Sequence, residues 1–263
     1  MFAWWRRLRR EKILEEPFPR EYRPIIDRNV GIVRYLDADE RKQLEDLVQV
    51  FLAEKTFVGC GGLELDDEIR VTIAANACIL LLGLDHDVYS DVESILVYPS
   101  TVRPPARVSN LVGNLGIVNE GPAIQGQAQM HGPVILVWDA VKRGSRDPNN
   151  GHNVVFHEFA HKLDMLDNEI DGTPPLRGSP QYDEWSKACG DVYFELQRRV
   201  ERGQRTFLDD YGATNEAEFF AVATETFFEK PRQLLREHPE LYRVLQEYYR
   251  QDPAARVERA HSN

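Results

Sequence analysis

In the stretch Val154-Val155-Phe156-His157-Glu158-Phe159-Ala160-His161-Lys162-Leu163-Asp164, two histidines stand four positions apart with a glutamate beside the first. On an α-helix this spacing sets the imidazoles roughly 6 Å apart along the axis and about 40° apart around it, so both can reach one ion. Zinc is the expected ion. Glu158, about 100° round from His157, points beside the metal rather than at it, which is where a general base stands to take a proton from an activated water. The competing reading is a solvated helix that carries H-E-x-x-H without binding anything.

The neighbours favour a buried helix. Val154, Val155, Phe156, Phe159, Ala160 and Leu163 leave few polar faces, so the histidines and the glutamate must lie against core and cleft and must find partners there. Lys162 departs from this pattern, and its ammonium has to escape to solvent or meet an acid. Asp164 falls nearly on the His157 face, where it is expected either to accept a hydrogen bond from the ligand imidazole and fix its tautomer or to serve as a helix-end carboxylate.

A hydrolytic zinc site has three protein ligands and an open position for water. The remaining histidines are poorly placed for the third: His152 points off the His157 face, His131 lies in a turn, His86 and His238 stand near helix ends, and His261 is in the tail. A carboxylate on a later helix is the other solution, and from the residues alone Glu218 or Glu225 can supply it.

The elements that must position these groups are legible in part. Asp37 followed by Glu40 reads as a capping box for a helix carrying Leu44, Leu47, Val48, Phe51 and Leu52 and ending near Lys55. Gly59-Cys60-Gly61-Gly62 is a turn; no lysine-serine pair follows it, and Asp66, Asp67 and Glu68 would repel an anion. Asp66 to Leu82 reads as an apolar helix. Strands follow at Ser94 to Tyr98, Ile124 to Met130 and Val134 to Trp138, separated by the loop-like Thr101 to Pro122, a candidate cleft wall or lid. Asn149-Asn150-Gly151 opens the His157 helix, a further helix covers about Tyr182 to Arg202, and Thr214 or Asn215 caps one bearing Glu216, Glu218 and Glu225. Pro231 and Pro239 start two last helices. Residues 1–30 read as an N-terminal arm and extended lead-in, 31–252 as the catalytic domain and 253–263 as a disordered tail.

The chain of 263 residues carries a formal charge of −11 and a pI near 5.2, which argues against a nucleic-acid-binding surface. Three cysteines, Cys60, Cys78 and Cys189, form no C-x-x-C pair and fit a reducing cytoplasm. No apolar stretch approaches the ~18 residues of a membrane span, and the start of the chain reaches its arginines too early for a secretory signal. Trp4, Trp5 and Leu8 beside Arg6, Arg7, Arg9 and Arg10 are expected to pack back on the domain as a flexible arm, the alternative being contact with an anionic membrane surface.

The His157 segment paired with Tyr211-Gly212-Ala213-Thr214-Asn215-Glu216-Ala217-Glu218-Phe219-Phe220-Ala221 resembles the zinc peptidases of the Mlc titration factor A family. It is also similar to the catalytic domain of anthrax lethal factor, though only over these two segments. The likeness to the titration factor family spans most of the chain, including Gly61-Gly62-Leu63-Glu64-Leu65, Val71-Thr72-Ile73-Ala74-Ala75 and Val97-Tyr98-Pro99. It implies an α+β, zincin-like fold, mostly helical with a small mixed sheet beside the active-site helix. It further implies one zinc ion held by His157, His161 and Glu218 in the gluzincin manner, with Glu158 as base and Tyr211 as an oxyanion donor. Asp164 and Glu225 remain as candidate supports of the ligands.

The same resemblance implies aminopeptidase-type activity on short peptides that lie along an edge strand. Ile124 to Met130 is the candidate, because Val134 to Trp138 is apolar enough to be an inner strand. The family name also raises a second reading, a regulatory protein that sequesters a transcription repressor and whose metal site is structural or vestigial. Glu158 separates the two, since a structural zinc needs no base.

Overall fold

The computed structural model describes residues 2–84, 86–100, 126–128 and 132–262. The first helix, α1 (Phe2–Leu14), replaces the expected arm: Trp4 and Trp5 are 57% and 61% exposed rather than packed on the domain. What ties α1 down is Arg10, whose guanidinium donates to both oxygens of Glu54 at 2.7 and 2.9 Å. The lead-in also holds a helix, α2 (Tyr22–Asn29). Pro24 is tolerated there because it sits in the first turn, where backbone N–H groups have no partner in the helix.

α3 (Ala38–Glu54) starts at the expected capping box. The Asp37 side chain accepts from Glu40 N at 2.9 Å, and Asp37 N donates to the Glu40 carboxylate at 3.0 Å. A short strand the sequence does not announce, β1 (Thr56–Gly59), leads through the glycine turn to α4 (Asp67–Ile79), which Asp66 caps and which is buried along nearly its whole length.

The sheet has the order β1-β2-β4-β3, with β2 (Ser94–Tyr98), β3 (Gly126–Ala128) and β4 (Val134–Val137). β1, β2 and β4 run parallel, and β3 pairs antiparallel at the edge with Gly126 opposite Leu136 and Ala128 opposite Val134. Ile95, Val97, Val134 and Leu136 are fully buried, the apolar run expected of strands covered by helices. The sheet is therefore mixed, and the strand expected at the edge is there; the rest of Ile124 to Met130, the Thr101 to Pro122 stretch and His131 lie outside the described residues. The strand expected to reach Trp138 stops one residue earlier. Trp138 instead opens α5 (Trp138–Arg146), which buries Trp138, Val141 and Ser145 at helical spacing.

α6 (Val154–Asp164) carries the two histidines and packs against α4, α5, β3, β4 and α8 (Glu216–Glu229), with α7 (Ser179–Glu201) between α6 and α8 in sequence. Phe159 lies 4.8 Å from Tyr89 and 5.8 Å from Phe51 between ring centroids, and Phe156 lies 5.4 Å from Phe228. Each such buried ring contributes on the order of 1.5–3 kcal/mol, so the site helix is anchored from two sides. The connection from α6 to α7 is drawn close at Gly172, where φ is +77° and a Cβ would meet the Glu216 carbonyl at 2.3 Å.

α9 (Pro231–Glu237) and α10 (Pro239–Tyr249) begin at the two expected prolines. The tail expected to be disordered is a helix, α11 (Pro253–Ser262). Its Arg256 is buried and donates to Glu40 at 2.7 Å and to the Gln251 side chain at 2.8 Å, a contact across the whole chain that no local pattern reveals. Among the described residues no helix is long and apolar enough to cross a membrane.

Candidate metal centre

The turn before α6 fixes where the site helix begins. Asn153 is its N-cap, accepting from Val155 N at 3.1 Å and Phe156 N at 3.3 Å, so the helix starts at Val154, three residues after Gly151. One turn further on, the two imidazoles face each other, with ring centroids 4.9 Å apart and Nε2 atoms 3.3 Å apart. α8 comes to them from the other side. Asn215 caps it by accepting from Glu218 N, and Glu218 in its first turn turns one oxygen to the histidines, 2.9 Å from His157 Nε2 and 3.3 Å from His161 Nε2.

These three atoms lie within 4.8 Å of one another. Ligand atoms about 2.0–2.1 Å from a tetrahedral zinc are about 3.3 Å apart, so the observed edges of 2.9, 3.3 and 3.3 Å suit one small ion. Charge points the same way. Burial alone would lower the pKa of His157, yet the carboxylates of Glu218 and Glu225 raise it well above the usual histidine value. Burial would raise that of Glu218, but its hydrogen bonds to both histidines hold it well below the usual carboxylate range. The pocket thus demands positive charge, and a divalent cation fits it.

Glu158 is 4% exposed, and its Oε2 has no hydrogen-bond partner among the described residues. Burial pushes its pKa up to about 7, against the pull of His157 and His161. It is a carboxylate able to hold or release a proton near neutrality, as a general base must.

Tyr211 sits in a short 3-10 turn, Asp210–Ala213, held by Asp209, which accepts from Tyr211 N at 2.8 Å. Its ring centroid is 5.9 Å from that of His157, and the residue is 50% exposed, so its phenol stands at the mouth of the site. Burial of the hydroxyl and the nearby Glu218 carboxylate push its pKa up to about 12, which keeps it a donor.

Glu225 is beside the metal group rather than in it. Its Oε1 lies 2.8 Å from His157 Nδ1 while Oε2 accepts from Asn153 N. The partner of His157 is therefore Glu225 and not Asp164. Asp164 shares the His157 face, but seven residues rise about 10.5 Å along a helix, too far for an aspartate to reach back. Its Oδ2 accepts instead from Gly172 N at 3.1 Å, and burial raises its pKa to about 6. Lys162 is buried; its Nζ donates to the Gly132 carbonyl at 2.9 Å, just ahead of β4, and burial lowers its pKa to about 8.

Three other histidines stay away: His152 approaches Asp209 at 3.4 Å, His238 lies near Phe207, and His261 bonds the Val257 carbonyl. Two contributors have no motif in the sequence. Asn153 donates to Asn76 at 2.9 Å and to Glu229 at 3.2 Å, and Glu229 also accepts from Gly151 N at 2.9 Å and His152 N at 3.1 Å. A glutamate four positions after Glu225 on an apolar helix is the signal that could have found Glu229. Gly144 permits this packing, since a Cβ there would meet the His152 carbonyl at 2.4 Å.

The sequence matches the glucose-regulated metallo-peptidase M90 family across residues 2–250. A Synechocystis protein, slr2042, is 36% identical over 255 residues, covering 96% of this chain and 91% of its own length. Mlc titration factor A of Serratia proteamaculans is 33% identical over 236 residues, with 88% of this chain and 87% of the relative covered. The protein of the same name from Pectobacterium atrosepticum is 31% identical over 241 residues, with 89% and 88% covered. With matches of this extent, and with the His157, His161 and Glu218 atoms gathered as a metallopeptidase requires, the chain belongs to the glucose-regulated metallo-peptidase M90 family.

Proposed function

We propose that this protein is a zinc-dependent peptidase of zincin-like architecture with aminopeptidase-type activity on short peptides, acting in the cytoplasm. The observation that carries the reading is the convergence of His157 Nε2, His161 Nε2 and Glu218 Oε2 beside a buried carboxylate, Glu158, that has one oxygen without a partner among the described residues. A zinc ion bound by His157, His161 and Glu218 would supply Lewis acidity, acidifying water and polarising the scissile carbonyl.

The chain does the rest. Glu158 accepts a proton from water as the water oxygen adds to the carbonyl carbon, and returns that proton to the amine nitrogen as the C–N bond breaks. Tyr211 donates a hydrogen bond to the oxygen that becomes negative during addition. Glu225 holds the proton on His157 Nδ1, leaving Nε2 as the ligand atom. The peptide lies along β3, supported by the position of β3 at the sheet edge against α6.

The name shared by two of the relatives favours a second role, binding a transcription repressor, which is compatible with catalysis. The pI near 5.2 supports a chain that does not itself bind nucleic acid. The test is hydrolysis of amino-acid anilides by the purified chain, with and without chelator and against Glu158→Ala. Metal-dependent turnover absent from the variant is expected. No turnover above the variant with any divalent ion would leave the binding role alone.

A further inference from the structure

We propose that α1 is an interfacial helix that docks this protein on an anionic phospholipid surface. At 100° per residue, Trp4, Trp5 and Leu8 share one side of α1, and Arg10 lies about 170° from the middle of that side. Arg10 faces inward, donating to Glu54 and, at 2.7 Å, to Asp87. The opposite face is thereby turned away from the body, and Trp4, Trp5 and Leu8 are 57%, 61% and 38% exposed. The two indoles pack edge to face with centroids 4.9 Å apart and form one apolar surface.

Cations flank this surface: Lys12 lies about 30° from its middle, Arg9 about 90° to one side and Arg7 about 110° to the other, while Arg6 lies about 150° away, next to Arg10. Arg6, Arg7, Arg9 and Lys12 are all exposed, and the helix has only one carboxylate, Glu11, which pairs with Arg7 in an exposed contact of little strength. In a chain of formal charge −11 this is a strongly basic segment, so charge complementarity selects an anionic partner for this face and turns the rest of the molecule away from it. An acidic protein would satisfy the cations but gives no reason for two adjacent exposed indoles. Tryptophan beside arginine on a surface helix is what the headgroup region of a bilayer accommodates, the rings among the glycerol and upper acyl groups and the guanidinium groups at the phosphates. A helix this short binds reversibly, and screening by salt should release it.

The experiment is cosedimentation of the full chain with phosphatidylcholine vesicles and with vesicles containing phosphatidylglycerol, together with tryptophan emission. Binding to the anionic vesicles alone is expected, accompanied by a blue shift from Trp4 and Trp5 and reversed by high salt. Both Trp4→Ser/Trp5→Ser and Arg7→Gln/Lys12→Gln should lose at least tenfold in vesicle affinity while keeping their thermal unfolding and anilide turnover. No binding to anionic vesicles, equal binding to neutral ones, or undiminished binding by either variant would overturn the proposal. So would capture of a protein partner through Trp4 and Trp5 by a chain that ignores vesicles.

Discussion

Glu225 and His157 form the contact that fixes the chemistry of the first histidine: Glu225 Oε1 is 2.8 Å from His157 Nδ1, on the side of the ring opposite Glu218. Glu218 and Glu225 are seven residues apart on α8 and so project from one face, one to each nitrogen of the same ring. The second oxygen of Glu225 holds Asn153 N, so this carboxylate ties the start of the site helix to the ring of His157. Glu225→Ala should therefore weaken metal binding by about 10- to 100-fold without abolishing it, measured by competition with a chelator. Unchanged affinity would mean that the ring is oriented by packing alone.

Binding and turnover should come apart at two glutamates. Glu158→Gln is expected to retain one metal ion per chain and lose anilide turnover, because the amide cannot accept the proton. Glu218→Ala should lose most of its metal as well, since one of three ligand atoms is gone. Full metal content in Glu218→Ala would move the third ligand elsewhere.

Glu229 gives a pH dependence separate from the metal ligands. Burial, and then the charge of Glu225, raise its pKa to about 8, outweighing the hydrogen bonds from Asn153, Gly151 and His152. The folded state then keeps a proton that the unfolded chain, at the ordinary value of about 4.3, has released. Between these two values the native state binds more protons, so this group makes stability fall as pH rises. Glu229→Gln should flatten the decline in Tm between about pH 5 and pH 8 relative to wild type, both measured with chelator present. Parallel curves would show that Glu229 is ionised in the folded protein throughout.

How much of this was legible from residues follows from the range of each interaction. The facing pair of α6 histidines, the Asp37 cap and the Asn215 cap depend on neighbours within one turn, and the spacing of residues carries them. Choosing Glu218 over Glu225 needed the family resemblance, because both lie on one helical face and only the approach of α8 to α6 decides which meets Nε2. Asp164 shares an angle with His157 around α6 but stands about 10.5 Å further along the axis, and the helical wheel alone does not show that rise. Arg256, Glu229 and Lys162 were out of reach for another reason: each is an ionisable residue buried by a partner far away in sequence, at Glu40, Gly151 and Gly132. The tryptophans of α1 reversed expectation because the helix meets the body through Arg10, Arg9 and the Ile13 carbonyl rather than through the indoles.

Tyr211 allows a test of catalysis that leaves the ion alone. Its ring centroid is 5.9 Å from that of His157, its turn is pinned by Asp209, and its phenol stays protonated with a pKa of about 12. A donor at the mouth of the site gains most when the substrate oxygen becomes an anion, so its removal should raise the barrier more than it weakens substrate binding. Tyr211→Phe keeps the ring and removes only the hydroxyl. It is expected to hold full metal, to unfold at the wild-type temperature because a half-exposed hydroxyl contributes little, and to lose about 10² to 10³ in kcat with KM nearly unchanged. A loss of metal would instead place the hydroxyl's role on Glu218, which it neighbours. Wild-type kcat with full metal would make Tyr211 a packing residue and leave the oxyanion to another donor.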